Sequence, residues 1–122
     1  MGFELEAIRG GIGMEWNELL KFIETENSRL NEYYGNQIDS EKRVLARTVK
    51  LSEEVGELCE EVLAYCSLQR KQKLVDYDSQ NLSHEFADVA ITTLLLAKSM
   101  DVDIEKALEQ KMERINQRYE KK

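Results

Sequence analysis

No proline interrupts this chain, and in four separate segments its apolar residues recur at the three- and four-residue spacing of a helix face. Proline breaks helix interiors, so its absence leaves long helices free to form. A chain rich in Glu, Leu, Lys and Ala adds to that preference. No segment shows a competing strand pattern. The sequence therefore predicts an all-α fold, a four- to five-helix bundle over one 122-residue domain.

The first helix is expected from Glu15 to Tyr34, on Trp16, Leu19, Leu20, Ile23 and Leu30, and Gly35-Asn36 ends it. The second is expected from Ser40 to Ser67, capped by Asp39 or Ser40, on Thr48, Leu51, Val55, Leu58, Val62 and Cys66. A polar connection over 69–80 leads to a third, from Leu82 to Met100, on Leu82, Phe86, Val89, Thr93, Leu96 and Met100. Asp101-Val102-Asp103 supplies a turn and cap. The fourth runs from Ile104 to Tyr119 on Ile104, Leu108, Met112, Ile115 and Tyr119. Residues 1–13, with Gly2, Gly10, Gly11 and Gly13, read as a flexible arm; they lack the Lys-Ser/Thr of a phosphate loop. There is no internal repeat and no domain linker.

A net charge of −7 argues against nonspecific binding to nucleic acid or to an anionic membrane. No apolar run approaches the roughly 20 residues of a membrane span, and no basic-then-apolar leader opens the chain. Cys59 and Cys66 stand seven apart on one helix, about 10 Å of rise and too far to bridge. Both fit reduced thiols in a cytoplasmic protein.

Chemistry concentrates in two acidic clusters, Glu53-Glu54-Val55-Gly56-Glu57 and Glu85-Phe86-Ala87-Asp88. Carboxylates three apart are neighbours on a helix surface. In both clusters the acids lie at the edge of the expected apolar stripe, displaced in the same rotational sense. If the two helices pair antiparallel, both acidic edges fall on one side. Glu54, Glu57, Glu85 and Asp88 then converge, provided the axial register agrees. Convergent carboxylates repel unless protonated or metal-bound, and a hard cation such as Mg²⁺, with Mn²⁺ as substitute, suits oxygen ligands. Glu60 reads as solvated helix face; Glu61 falls near the Glu54–Glu57 edge and fits either the site or, in preference, the solvated face; His84 reads as an exposed histidine near a helix start.

The order Glu-Glu-x-x-Glu, 27 residues, Glu-x-x-Asp resembles the MazG-like all-α nucleoside triphosphate pyrophosphohydrolases. Lys50-Leu51-Ser52-Glu53-Glu54-Val55-Gly56-Glu57-Leu58 is close to that family's first motif, and Glu85-Phe86-Ala87-Asp88-Val89 to its second. Lys111 to Tyr119 is similar to its basic C-terminal motif, although Asn116 follows Lys111 at one residue more than in many members. The resemblance covers residues 40–119.

It implies hydrolysis of a (deoxy)nucleoside triphosphate to monophosphate and pyrophosphate, in nucleotide-pool control. Glu54, Glu57, Glu85 and Asp88 would be Mg²⁺ ligands, with Glu53 binding a further metal or orienting water. Lys50, Lys111, Asn116 and Arg118 would hold phosphates, Trp16 would stack on the base, and the chain would form a homodimer or homotetramer. Two other readings compete. One is a phosphoribosyl-ATP pyrophosphohydrolase-like enzyme, the other a noncatalytic helical interaction module. A ferritin-like di-iron centre would need Glu-x-x-His, and Asp88 stands where the histidine would be.

Overall fold

The computed structural model describes residues 13–35, 39–66 and 79–120. Four helices follow in order: α1 (Trp16–Tyr34), α2 (Ser40–Tyr65), α3 (Ser79–Ser99) and α4 (Ile104–Gln117). No strand occurs among the described residues. The expected arm over 1–12 and most of the polar connection lie outside them; Ser79 and Gln80 already belong to α3.

Local chemistry sets the ends. Gly35 closes α1 at a φ of 66°, a left-handed backbone that glycine adopts without steric cost, and its N–H reaches back to Asn31 and Glu32 carbonyls. Asp39 starts α2 in extended conformation, its Oδ1 accepting from the Lys42 N–H at 2.8 Å. Asp103 does the same for α4, accepting from Lys106 N–H at 3.1 Å. Asp101 carries a φ of 54° just past α3, where the Val102 N–H turns back to the Ala97 carbonyl at 3.0 Å.

The contacts divide the chain into two units, Met1–Gln37 and Ile38–Lys122, the first holding α1 and the second α2 to α4. Within the second unit α2 and α3 pack along their length. Their register is antiparallel: Arg47, early in α2, meets Leu95 and Ser99 late in α3, whereas Glu54 meets Glu85 and Asp88 earlier in α3.

The packed faces differ from the expected stripes. On α2 the face toward α3 carries Arg47 and Glu54, both buried, with Leu51, Leu58 and Glu61 partly covered. Val55, Val62, Thr48 and Cys66 are exposed. On α3 it carries Leu82, Glu85, Val89, Leu94 and Leu95, whereas Phe86, Thr93 and Met100 are exposed. Both faces are thus turned toward Glu54 and Glu85, which occupy the seam, while Glu57 and Asp88 stay exposed at its edge. The α2 seam alternates steps of four and three, through 47, 51, 54, 58 and 61, the spacing of a coiled-coil seam.

The α4 stripe stays largely uncovered in this chain: Leu108, Met112, Ile115 and Tyr119 are all exposed.

Candidate metal centre

Arg47, Glu54 and Glu61 recur every seven residues and form one polar row in the α2–α3 seam. At its start, the guanidinium of Arg47 donates from Nη1 to the Leu95 carbonyl at 3.0 Å and to Ser99 Oγ at 2.8 Å. Ser99 Oγ in turn donates to the same carbonyl at 2.8 Å. Burial pushes the Arg47 pKa down, with Arg43 adding to the effect. These bonds cross-link the helices and fix their axial register.

That register delivers Glu54 to Glu85 and Asp88. Their carboxylate oxygens, one from each residue, lie within 4.8 Å of one another, Glu54 buried, Glu85 half-buried and Asp88 exposed. Lys50 Nζ sits 3.2 Å from Glu54 Oε1 and 3.6 Å from Glu53 Oε2. The pair with Glu54 holds the ammonium above its ordinary pKa. On the far side, Glu54 Oε2 is buried with no hydrogen-bond partner, and so is Glu85 Oε2. Burial of its carboxyl, then the charges of Glu57, Asp88, Glu54 and Glu61, raise the Glu85 pKa.

Unpartnered buried carboxylate oxygens cost free energy, about 1–3 kcal/mol each and more when charged. A divalent cation among these three groups satisfies them and cancels their repulsion. The donor set is all oxygen, which suits Mg²⁺ or Mn²⁺. The residues therefore fit such an ion.

Of the residues selected from sequence, Glu54, Glu85 and Asp88 come together directly. Glu57 is exposed and outside that group, yet close enough for its charge to act on Glu85. Glu53 and Lys50 form the outer rim through their ion pair. Lys111 and Asn116 lie on α4 and Arg118 caps it; all three are exposed, and among the described residues none makes an ion pair with the acids. Trp16 opens α1, half-buried, with its indole Nε1 buried and without a hydrogen-bond partner. His84 is exposed.

Sequence reasoning passed over Arg47 and preferred a solvated face for Glu61. Glu61 is half-buried, and its Oε2 is buried without a partner. The signal that could have found both is the seven-residue interval to Glu54 on either side.

A family model, the MazG nucleotide pyrophosphohydrolase domain, matches residues 42–122. A curated relative, "Uncharacterized protein YpjD" of Bacillus subtilis (strain 168), is 30% identical over 102 residues, spanning 84% of this chain and 87% of that protein. No solved structure matches the chain.

Proposed function

We propose that this chain, which belongs to the MazG nucleotide pyrophosphohydrolase family, hydrolyses a (deoxy)nucleoside triphosphate to the monophosphate and pyrophosphate with Mg²⁺, Mn²⁺ serving as substitute. The observation that carries the reading is the group of Glu54, Glu85 and Asp88, converging from two helices with two buried, unpartnered oxygens.

In this reading Glu54, Glu85 and Asp88 hold the ion, and Glu57 turns its exposed carboxylate toward it. When bound, the cation neutralises charge on phosphate oxygens and lowers the pKa of a coordinated water. Lys50 orients Glu54 by holding Oε1, which leaves Oε2 for the cation. Glu53, exposed on the rim, orients the attacking water. Lys50 also stands beside the path of an entering phosphate, where its ammonium offsets the anion's charge. Lys111, Asn116 and Arg118 hold the remaining phosphate oxygens, Arg118 by a forked contact. Trp16 stacks on the base.

The reading takes the 122 residues as one catalytic domain of a cytoplasmic enzyme that controls nucleotide pools. It makes the chain a homodimer or homotetramer, since oligomerisation covers the exposed stripe of Leu108, Met112, Ile115 and Tyr119. No described helix is long and apolar enough to cross a membrane, and the charge of −7 disfavours nucleic acid as a partner.

Replacing Glu57 or Asp88 by Ala tests the assignment, because both side chains are exposed and their loss leaves no cavity. Each variant should lose turnover while keeping the parent's far-UV circular dichroism. Full activity in both would sink the assignment.

A further inference from the structure

We propose that Arg47 is a positioning residue for the divalent cation: by selecting one axial register of α2 on α3, it sets how tightly Glu54, Glu85 and Asp88 hold the ion. The inference rests on the metal-centre reading above and extends it to a residue two helical turns away from the ligands.

One repeat on each helix links Arg47 to the acids. Arg47 stands seven residues before Glu54 on α2, and its acceptor Leu95 stands seven after Asp88 on α3. Seven residues rise about 10 Å on either helix. Because the helices run antiparallel, seating Arg47 on Leu95 seats Glu54 opposite Asp88.

Little else in the seam discriminates one register from the next. Its apolar members are Leu51 and Leu58 on α2 and Leu82, Val89, Leu94 and Leu95 on α3, and apolar contacts at this spacing re-form after a slip. A buried polar group specifies register, because its partners exist in only one alignment. Arg47 is buried, and the Leu95 carbonyl and Ser99 Oγ accept from its guanidinium at 3.0 and 2.8 Å. A slip of one turn moves α2 by about 5.4 Å, more than the 4.8 Å within which the three carboxylate oxygens gather. In one direction it sets Glu54 against Ile91 and Thr92; in the other it sets Arg47 there, away from Ser99. Neither alignment combines a satisfied arginine with converged carboxylates. Without the ion those carboxylates repel one another, so they oppose the register that the metal requires, and Arg47 holds it.

The test is a Mn²⁺ titration of the purified, nucleotide-free chain, with free ion counted by electron paramagnetic resonance, beside thermal unfolding in EDTA. Arg47→Met leaves no acceptor orphaned, since Ser99 Oγ still donates to the Leu95 carbonyl, and it fills the space without burying a charge. It should keep Tm within about 3 °C of the parent's. It should bind Mn²⁺ at least about tenfold more weakly, the scale on which groups that orient metal ligands act. Arg47→Lys, which donates to the same acceptors, should recover part of the affinity. Asp103→Ala removes a helix cap outside the seam and should lower Tm with the parent's Mn²⁺ affinity intact, which separates positioning from loss of fold. Ser99→Ala removes one acceptor, should weaken binding by a smaller factor, and carries the test if Arg47→Met unfolds. Parental affinity in both Arg47→Met and Ser99→Ala would overturn the role of Arg47 while leaving the metal centre standing. A parent chain that binds no Mn²⁺ would overturn both.

Discussion

Replacing Glu85 by Gln should make the metal-free protein more stable and at the same time abolish its stabilisation by metal. Glu85 contributes one of three carboxylate oxygens that lie within 4.8 Å of one another. Two unit charges at that distance repel by about 1 kcal/mol in water and about 3.5 kcal/mol at an effective permittivity of 20. The rim is half open to solvent, and Lys50 offsets part of the charge on Glu54. The low end therefore applies, and relief of two such repulsions is worth about 2 kcal/mol. For a chain of this size that raises Tm by about 8 °C.

The pH dependence has a definite sign. The folded Glu85 carboxyl has a raised pKa, so the folded state takes up its proton at a higher pH than the unfolded chain does. The penalty is complete above the raised range, and the metal-free fold gains stability as pH falls through it. Glu85→Gln removes that part of the profile. The assay is thermal unfolding in EDTA and in excess Mg²⁺ at several pH values. The parent should gain Tm on adding Mg²⁺ through linkage, and the variant should begin higher in EDTA and gain nothing. A variant that melts below the parent in EDTA, or that still responds fully to Mg²⁺, would refute the reasoning.

Other perturbations probe the scaffold. Arg47→Ala removes a buried charged donor from the Leu95 carbonyl and Ser99 Oγ, and should cost about 2–3 kcal/mol in chemical denaturation; a loss under 0.5 kcal/mol would deny it a role in the register. Asp39→Ala and Asp103→Ala delete the two helix caps and should each cost about 1 kcal/mol by the same measurement. Asp101→Gly relieves a left-handed backbone at φ 54° and should stabilise by a few tenths to about 1 kcal/mol.

What the sequence disclosed was mostly what local chemistry decides. Gly35, Asp39 and Asp103 mark helix ends because the turn and cap chemistry lies within three or four residues. The all-α class followed from four amphipathic segments, and the antiparallel pairing of the second and third from their succession. Rotation about the helix axes was less legible. Counting apolar residues put Val55, Val62 and Phe86 inward, yet all three are exposed. The seam instead admits Arg47, Glu54 and Glu61, and nothing local says that a charged row can be buried. Arg47 finds its acceptors 48 and 52 residues away, and Glu54 is buried with Lys50 on Oε1 and no hydrogen-bond partner on Oε2. The rule that charge faces water therefore misplaced Glu61. Three-residue spacing survives a modest error in rotation, and carboxylate oxygens of Glu54, Glu85 and Asp88 still lie within 4.8 Å of one another, without Glu57.

The most direct test of the central claim is product analysis after incubation with Mg²⁺ and a panel of ordinary and damaged nucleoside triphosphates. The account predicts a nucleoside monophosphate and pyrophosphate in equal amounts, with no turnover in EDTA. Nucleoside diphosphate plus phosphate, or no turnover on any triphosphate in a chain that binds none of them, would contradict it.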